Sequence, residues 1–271
     1  MNEVTENSPP PLVSCRDVVV EFPRGGSSVT VLDGVSLDIQ HGEFVCLVGP
    51  SGCGKSTLLN VIAGIQARSS GSVAIGEEAV TGLRTDLGYM RQQASLFPWR
   101  TVRQNVAYGL ELERRPDEEV KAIVNSLIER VGLSESADQY PHQLSGGMQQ
   151  RTSLARTLAV ERKMLLMDEP FAALDAQTRA ILEKDLLQLR DERGISVLFV
   201  THDLAEAIAL GDRVVVLAHG SGRIRGEFEI DLPHPRDPMD IRVNPRFNDL
   251  YQEIWALLRQ EYSRTSEAGG S

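Results

Sequence analysis

The pattern of apolar and polar residues changes along the chain, and each change predicts a different kind of element. The first 90 residues contain short apolar runs separated by Gly and Ser. Strands are predicted at 14–22, 29–39, 43–49, 71–76 and 85–90. Within the predicted strand 43–49, the residues after Glu43 form a continuous apolar run, as expected of a strand buried on both faces. The segment 55–64 after it predicts a short helix that ends at Gly64.

The second part of the chain first loses and then regains strand patterns. Between 100 and 160 only helical periodicity remains, which predicts a helical insertion at about 93–160. Beyond it, strands are predicted at 163–168, 195–203 and 212–218, with a helix at 175–194. Strands that alternate with helices imply an α/β fold with a mostly parallel sheet covered by helices.

The two ends of the chain have a different composition. Residues 1–11 are polar and end in three prolines, which predicts a disordered lead before a main domain at 12–230. The extension at 231–271 is predicted to hold one amphipathic helix and a disordered tail. The apolar face of that helix consists of Phe247, Leu250, Ile254 and Leu258.

Composition and charge argue against several classes of protein. The formal net charge of -10 argues against nonspecific nucleic-acid binding, which favours a basic surface. The three cysteines form no CxxC pair and no disulfide framework, so we expect a reducing, cytosolic setting. No stretch reaches the roughly 18 apolar residues of a membrane span, and the amino terminus has no secretion-signal pattern.

The segment "GPSGCGKST" at 49–57 predicts a phosphate site. It lies between the buried strand and the predicted helix, which is the setting of a P-loop. Glycine lets backbone N–H groups point at phosphate oxygens, and the helix amino terminus attracts anions. A glycine-rich turn that closes an ordinary strand–helix unit is the alternative. The predicted phosphate-binding residues are Gly49, Pro50, Ser51, Gly52, Cys53, Gly54, Lys55, Ser56 and Thr57.

Three residues of this segment carry individual predictions. Lys55 would place its charge on the β- and γ-phosphates, and the Ser56 hydroxyl would bind Mg²⁺. Cys53 is either a tolerated small residue or a reactive thiol, because a helix amino terminus and a lysine lie beside it.

A second chemical site is predicted where the apolar strand "MLLMD" ends. Asp168 would bind Mg²⁺ beside the phosphates, and Glu169 would polarise an attacking water molecule. A strand ending in Asp-Glu is also compatible with a simple helix cap.

The segment "LSGGMQQR" at 144–151 adds a second anion-binding helix start, although Ser145 could be a plain helix cap. Together with the phosphate loop, the "YMRQQ" segment, the Asp-Glu strand, "FAALD" and "VTHD", it resembles the ATP-binding cassette (ABC) family over roughly residues 12–226. The resemblance implies a P-loop NTPase (RecA-like) core, an antiparallel β subdomain and an α-helical subdomain.

The resemblance also implies roles for single residues. Gln92 aligns with a glutamine that reaches Mg²⁺ and the attacking water, and His202 aligns with a histidine that contacts the γ-phosphate. Asp175 aligns with a loop that communicates across a dimer. Phe22 aligns with an aromatic residue that stacks on adenine, with packing in the core as the alternative. Together with Glu169, Gln92 and His202 form the predicted catalytic set.

A head-to-tail homodimer follows from the same resemblance. Ser145, Gly146 and Gly147 of one copy would close over ATP bound by Lys55 of the other. ATP with Mg²⁺ would therefore hold the pair together, and hydrolysis would release it.

Three strings resemble the nitrate, sulfonate and taurine importer branch: "PWRTVRQNV", "THDLAEAIALGDRVVVL" and "NPRFNDLYQEIWALL". That branch implies an ATPase at the cytoplasmic face of the cell membrane, held there by permease subunits. An extracytoplasmic solute-binding protein would take part indirectly, and no nucleic acid is involved. A soluble single-cassette ATPase in assembly or nucleic-acid work, or an exporter ATPase, are the alternatives.

Overall fold

The computed structural model describes residues 10–220 and 222–268, with side chains up to residue 263. Most of the predicted lead, residues 1–9, and the end of the predicted tail, residues 269–271, lie outside the described residues.

The larger sheet has six strands and positions the candidate site. Its strands are β3 (Phe44–Val48), β6 (Gly88–Met90), β7 (Met164–Asp168), β8 (Ser196–Val200), β9 (Arg213–Leu217) and β10 (Ile224–Glu229). The spatial order is β10-β9-β3-β8-β7-β6. All neighbours are parallel except β10, which runs antiparallel to β9.

Strand β3 shows why this sheet is buried on both faces. Phe44, Cys46 and Val48 join one hydrophobic cluster, whereas Val45 and Leu47 join the other. Successive side chains of a strand point to opposite faces, so a continuous apolar run fills two cores at once. This agrees with the continuous apolar pattern at 44–49.

The smaller sheet is antiparallel. It contains β1 (Val13–Arg24), β2 (Ser27–Ile39), β4 (Ser70–Ile75) and β5 (Glu78–Ala79), in the order β2-β1-β4-β5. The β1–β2 hairpin turns at Gly25 and Gly26, which both have positive φ angles. Buried side chains of this sheet belong to the same hydrophobic cluster as Val45 and Leu47 of β3.

Seven α-helices occur in the described residues: α1 (Lys55–Ile62), α2 (Val102–Leu112), α3 (Asp117–Arg130), α4 (Gly146–Ala159), α5 (Ala176–Arg193), α6 (Leu204–Leu210) and α7 (Pro245–Ala268). Helices α2 to α4 fill the segment in which the sequence predicts a helical insertion. The start of α2 is fixed by a capping box between Thr101 and Gln104.

Helix α7 packs against α6 and the edge strand β10, and the four apolar residues of its predicted face are all buried. The helix continues to Ala268, into the segment predicted to be disordered. Residues 263–268 contain no Gly or Pro, so nothing in them stops a helix that is already formed. Within residues 10–268 apart from 221, no helix combines the length and apolar character needed to cross a membrane.

Apart from the two-residue β5, two elements were missed by the sequence analysis. Strand β10 was not predicted, although its burial alternates along the strand. Helix α6 follows Asp203, whose side chain accepts hydrogen bonds from Ala205 N and Glu206 N. Both carried a usable signal: period-2 alternation in the first and an Asp helix cap in the second.

Candidate functional site

The phosphate loop, residues 49–57, joins β3 to α1, and two of its glycines are required by close packing. Gly49 has φ 154° and Gly54 has φ 102°. A Cβ atom on Gly49 would lie 2.7 Å from Leu217 O, and one on Gly54 would lie 2.8 Å from Val31 O. The loop is therefore fixed by its own chain in a shape that only glycine permits.

The charged and polar groups of this loop are arranged for an anion. Lys55 is only 7% exposed, and its Nζ donates hydrogen bonds to Gly49 O (2.8 Å) and Pro50 O (2.9 Å). Helix α1 begins after Gly54 without a side-chain cap, so its first N–H groups face the loop. Ser51, Gly52 and Ser56 are exposed and Thr57 is half-buried. These features fit a bound phosphate.

Cys53 is enclosed by this loop rather than presented to solvent. The residue is buried, and burial is the main reason that the pKa of its thiol is raised. The nearby Lys55 lowers that pKa, but by less. Of the two interpretations of Cys53, a tolerated small residue agrees with this environment better than a reactive thiol.

Asp168 and Ser56 meet beside the loop. Burial raises the pKa of Asp168, and the adjacent Glu169 adds to the rise, whereas a hydrogen bond from Ser56 and the charge of Lys55 lower it. A hydroxyl and a carboxylate are oxygen ligands that suit Mg²⁺. Among the described residues, no group of three or more His, Cys, Asp or Glu forms a metal site, so an ion here would also need ligands such as phosphate, amide or water.

Glu169 contacts both other residues of the predicted catalytic set, Gln92 and His202. Its backbone has φ 48°, an uncommon value for a residue with a side chain, and its N–H donates to Val200 O at 2.9 Å. The Oε2 atom accepts a hydrogen bond from Gln92 Nε2 at 3.1 Å and lies 3.3 Å from His202 Nδ1. Residues that follow β6, β7 and β8 thus meet at one carboxylate oxygen.

The signature turn, residues 144–147, is separate from this cluster. Ser145 caps α4 by accepting a hydrogen bond from Met148 N at 3.3 Å, and Gly146 is exposed. Within the described residues, no hydrogen bond or ion pair joins this turn to the phosphate loop of the same chain. Within one copy of the chain, the structure therefore does not place the signature turn against the phosphate loop. The sequence predicts that these two segments contact the same nucleotide from different copies.

Two further predicted residues, Asp175 and Phe22, make contacts other than those of the Glu169 cluster. Asp175 caps α5 by accepting a hydrogen bond from Thr178 N at 3.0 Å, and this bond is the main cause of its lowered pKa. Phe22 lies on β1 and is 38% exposed, which agrees better with an available ring than with a core residue. Their assignment to a nucleotide stays a prediction.

Two buried carboxyl groups behind His202 were missed by the sequence analysis. Burial raises the pKa of Glu206 to about 8 and that of Glu183 to about 7. Glu206 accepts a hydrogen bond from the Thr201 hydroxyl, and Glu183 lies 3.6 Å from Arg242 of the carboxy-terminal extension. The available signal was a glutamate among apolar neighbours in each helix, in "AILEKDLL" and "LAEAIAL".

The chain is similar to known proteins in both sequence and structure. The profile of the ABC transporter family matches residues 32–172. The chain is 45% identical over 253 residues to the bicarbonate transport ATP-binding protein CmpC of Synechococcus elongatus, an alignment that covers 92% of this chain and 38% of that protein. It is 45% identical over 246 residues to the nitrate import ATP-binding protein NrtC of the same species, covering 90% of this chain and 37% of that protein. The chain thus spans less than two fifths of either relative.

Two other similar proteins are aligned with this chain over nearly their whole length. An uncharacterised ABC transporter ATP-binding protein of Methanocaldococcus jannaschii is 46% identical over 240 residues, covering 89% of this chain and 88% of that protein. A solved dimeric structure of the ATP-binding cassette MJ0796, in a post-hydrolysis state with ADP and Pi, superposes with a TM-score of 0.75 and 33% identity. It covers 80% of this chain and 98% of that one. With this fold, this order of motifs and these identities, the chain belongs to the ABC transporter family.

Proposed function

We propose that this chain is the ATP-hydrolysing subunit of a membrane importer for a small solute. The observation that carries the proposal is the convergence of Gln92 and His202 on one oxygen of Glu169. Glu169 directly follows Asp168, which lies beside Ser56 at the phosphate loop. A carboxylate oriented by two polar side chains beside a phosphate site is the arrangement that phosphoryl transfer to water needs.

The nucleotide and its ion would be held by residues from several elements. The phosphate loop and Lys55 would bind the phosphates of ATP, and the exposed ring of Phe22 would pack on the adenine. Ser56, Asp168 and Gln92 would hold Mg²⁺. When bound, this ion offsets negative charge on the phosphates as the bond to the leaving group breaks.

Hydrolysis then depends on Glu169. Its carboxylate accepts a proton from the attacking water, whose oxygen forms the new bond to the γ-phosphorus. The bond between that phosphorus and the bridging oxygen breaks, and ADP leaves with the electron pair. Gln92 and His202 hold the carboxylate and the water in line, so most of their effect is positioning.

We infer that a second copy completes the site. The signature turn is exposed at the start of α4 and has no link to the phosphate loop of its own chain within the described residues. Ser145, Gly146 and Gly147 of one copy would cover the γ-phosphate bound by the other, and Asp175 would face the partner. The dimeric state of the neighbouring cassette structure supports this arrangement.

The proposed cargo and partners rest on the strings that resemble the nitrate, sulfonate and taurine importer branch and on two transport relatives. One is named for bicarbonate transport and the other for nitrate import. We assign this chain to an importer of nitrate, sulfonate, taurine or a similar small solute. Permease subunits would hold it at the cytoplasmic face of the membrane, and a solute-binding protein would act outside.

The test is Glu169→Gln, which keeps the size of the side chain but removes its charge. We expect ATP binding to be preserved and hydrolysis to fall by roughly 10²-fold or more. With ATP the variant should elute from size exclusion as a dimer, and with ADP as a monomer. Glu135→Gln, the same substitution at an exposed glutamate, serves as the matched control and should behave as the native chain.

Normal hydrolysis by Glu169→Gln in the membrane complex would overturn the proposal. Co-purification of the chain with an integral membrane protein separates the importer from a soluble ATPase. Solute uptake by vesicles that carry the complex separates an importer from an exporter.

A further inference from the structure

Arg179 lies behind the candidate site and belongs to none of the predicted motifs. It is in the first turns of α5, and its guanidinium reaches two different loops. One nitrogen donates to Leu174 O at 3.2 Å, and the other lies 3.5 Å from Asp203 Oδ2. The first loop is the ALD turn, residues 173–175, and the second is the histidine turn, residues 201–203.

The histidine turn is fixed through its backbone rather than through the histidine ring. Asp203 N donates to Thr201 Oγ1 at 3.0 Å, and the Thr201 hydroxyl donates to the buried Glu206 carboxyl group. The His202 side chain itself is 63% exposed. Because so little protein surrounds the ring, its position relative to Glu169 depends on where this turn lies.

Asp203 links the histidine turn to both α6 and Arg179. Its Oδ1 atom accepts hydrogen bonds from Ala205 N (2.9 Å) and Glu206 N (3.2 Å), whereas Oδ2 faces Arg179. The capping bonds therefore use a different oxygen from the ion pair. Loss of the Arg179 side chain would leave the α6 cap intact while freeing the turn from α5.

We propose that Arg179 is a positioning residue that fixes His202 against Glu169 by tying the histidine turn to the ALD turn. This inference rests on the proposed ATPase function. Arg179 does not touch the reacting atoms; it acts through the backbone that carries His202. A displacement of the ring by a fraction of an ångström would lower the hydrolysis rate but leave the phosphate loop unchanged.

The decisive measurement is the effect of Arg179→Ala with and without His202. In the native background we expect kcat for ATP hydrolysis to fall roughly 10-fold or more, with KM for ATP almost unchanged. In the His202→Ala background, measured in single turnover with the full chain and its co-purified membrane subunits, Arg179→Ala should cause no further loss. A residue that acts only through another has no effect once that other is gone.

Two further variants control the result. Lys184→Ala removes an ion pair with Asp237 from the same helix and should leave kcat unchanged. Arg179→Lys keeps a charge but cannot span both turns, so its kcat should lie between those of the native chain and Arg179→Ala. Arg179→Lys also carries the test if Arg179→Ala does not fold.

The inference is overturned if the Arg179 substitution lowers kcat by the same factor in both backgrounds, or if it changes only KM. A native kcat in Arg179→Ala would overturn it as well. Failure of the proposed function would appear separately, as normal hydrolysis by Glu169→Gln.

Discussion

The phosphate loop and the signature turn are both glycine-rich helix starts, but their glycines are needed for different reasons. In the phosphate loop, a Cβ on Gly49 or Gly54 would collide with backbone of the same chain. In the signature turn, a Cβ on Gly146 would meet nothing within 4 Å, and one on Gly147 would meet Ala173 O at 3.3 Å. Packing within the chain explains Gly49 and Gly54 but gives no reason for a glycine at 146.

The largest effect is expected from Gly54→Ala. The added Cβ would lie 2.6 Å from Leu32 Cδ2 and 2.8 Å from Val31 O, in a backbone with φ 102°. We expect the free energy of unfolding to fall by about 1–3 kcal/mol and ATP binding to be lost, because the loop must change shape. Thermal unfolding and binding of a fluorescent ATP analogue measure both.

The control for that variant is Gly52→Ala. Gly52 also has a positive φ, 78°, but open space around it, so only backbone strain remains. It should lose less stability than Gly54→Ala. Native ATP affinity in Gly54→Ala would show that the loop does not need the packing described above.

The second prediction concerns Gly146 of the signature turn. Gly146→Arg should leave the thermal unfolding and the ATP affinity of the monomer close to native, because no contact of its own chain is lost. Combined with Glu169→Gln, it should abolish the ATP-dependent dimer on size exclusion, since a long side chain would occupy the closing surface. Gly82→Arg, at another glycine with nothing within 4 Å of its Cβ, should leave the dimer intact. A Gly146→Arg dimer of normal stability would contradict the two-copy site.

The third prediction compares how fast a thiol reagent reacts with a cysteine in the phosphate loop and with one introduced into the signature turn. Cys15, Cys46 and Cys53 are all buried with raised pKa values, and a rise of one pKa unit leaves about tenfold less thiolate at a given pH. The native chain should therefore react slowly with a bulky thiol reagent. Gly146→Cys should add one thiol that reacts about tenfold faster or more, and ATP should protect it in the Glu169→Gln background. Mass spectrometry of labelled peptides identifies the site; fast labelling of Cys53 would show that the phosphate loop is more open than its packing implies.

The sequence predicted much of the fold and of the candidate site because most of the patterns that indicate them lie within short continuous segments. The continuous apolar run at 44–49 and the glycine spacing after it are patterns of neighbouring residues, and the structure has the expected strand, loop and helix there. The fold class was confirmed by the cassette structure that superposes on the chain. The roles assigned to single residues remain predictions.

The parts that were missed depend on residues far apart in the chain. Arg179 in α5 meets Asp203 after β8 only in the folded chain, and no local pattern indicates that contact. Glu183 and Glu206 were overlooked because a charged residue in a helix normally faces solvent, whereas tertiary packing buries both of them. Strand β10 was hidden by its charged residues, which alternate with Gly226 and Phe228 on an edge strand.

The sheet order has a consequence for how the protein is made. The strand that leads into the phosphate loop, β3, lies between β8 and β9, and Phe44 pairs with Val197. A ribosome that adds about 5–20 residues per second would deliver β8 on the order of 10 s after β3. Throughout that interval an entirely apolar strand lacks both of its partners, and exposed apolar strands of this kind favour aggregation of incompletely folded chains. Gln92, Glu169 and His202, the proposed catalytic residues, cannot meet before the ribosome passes His202.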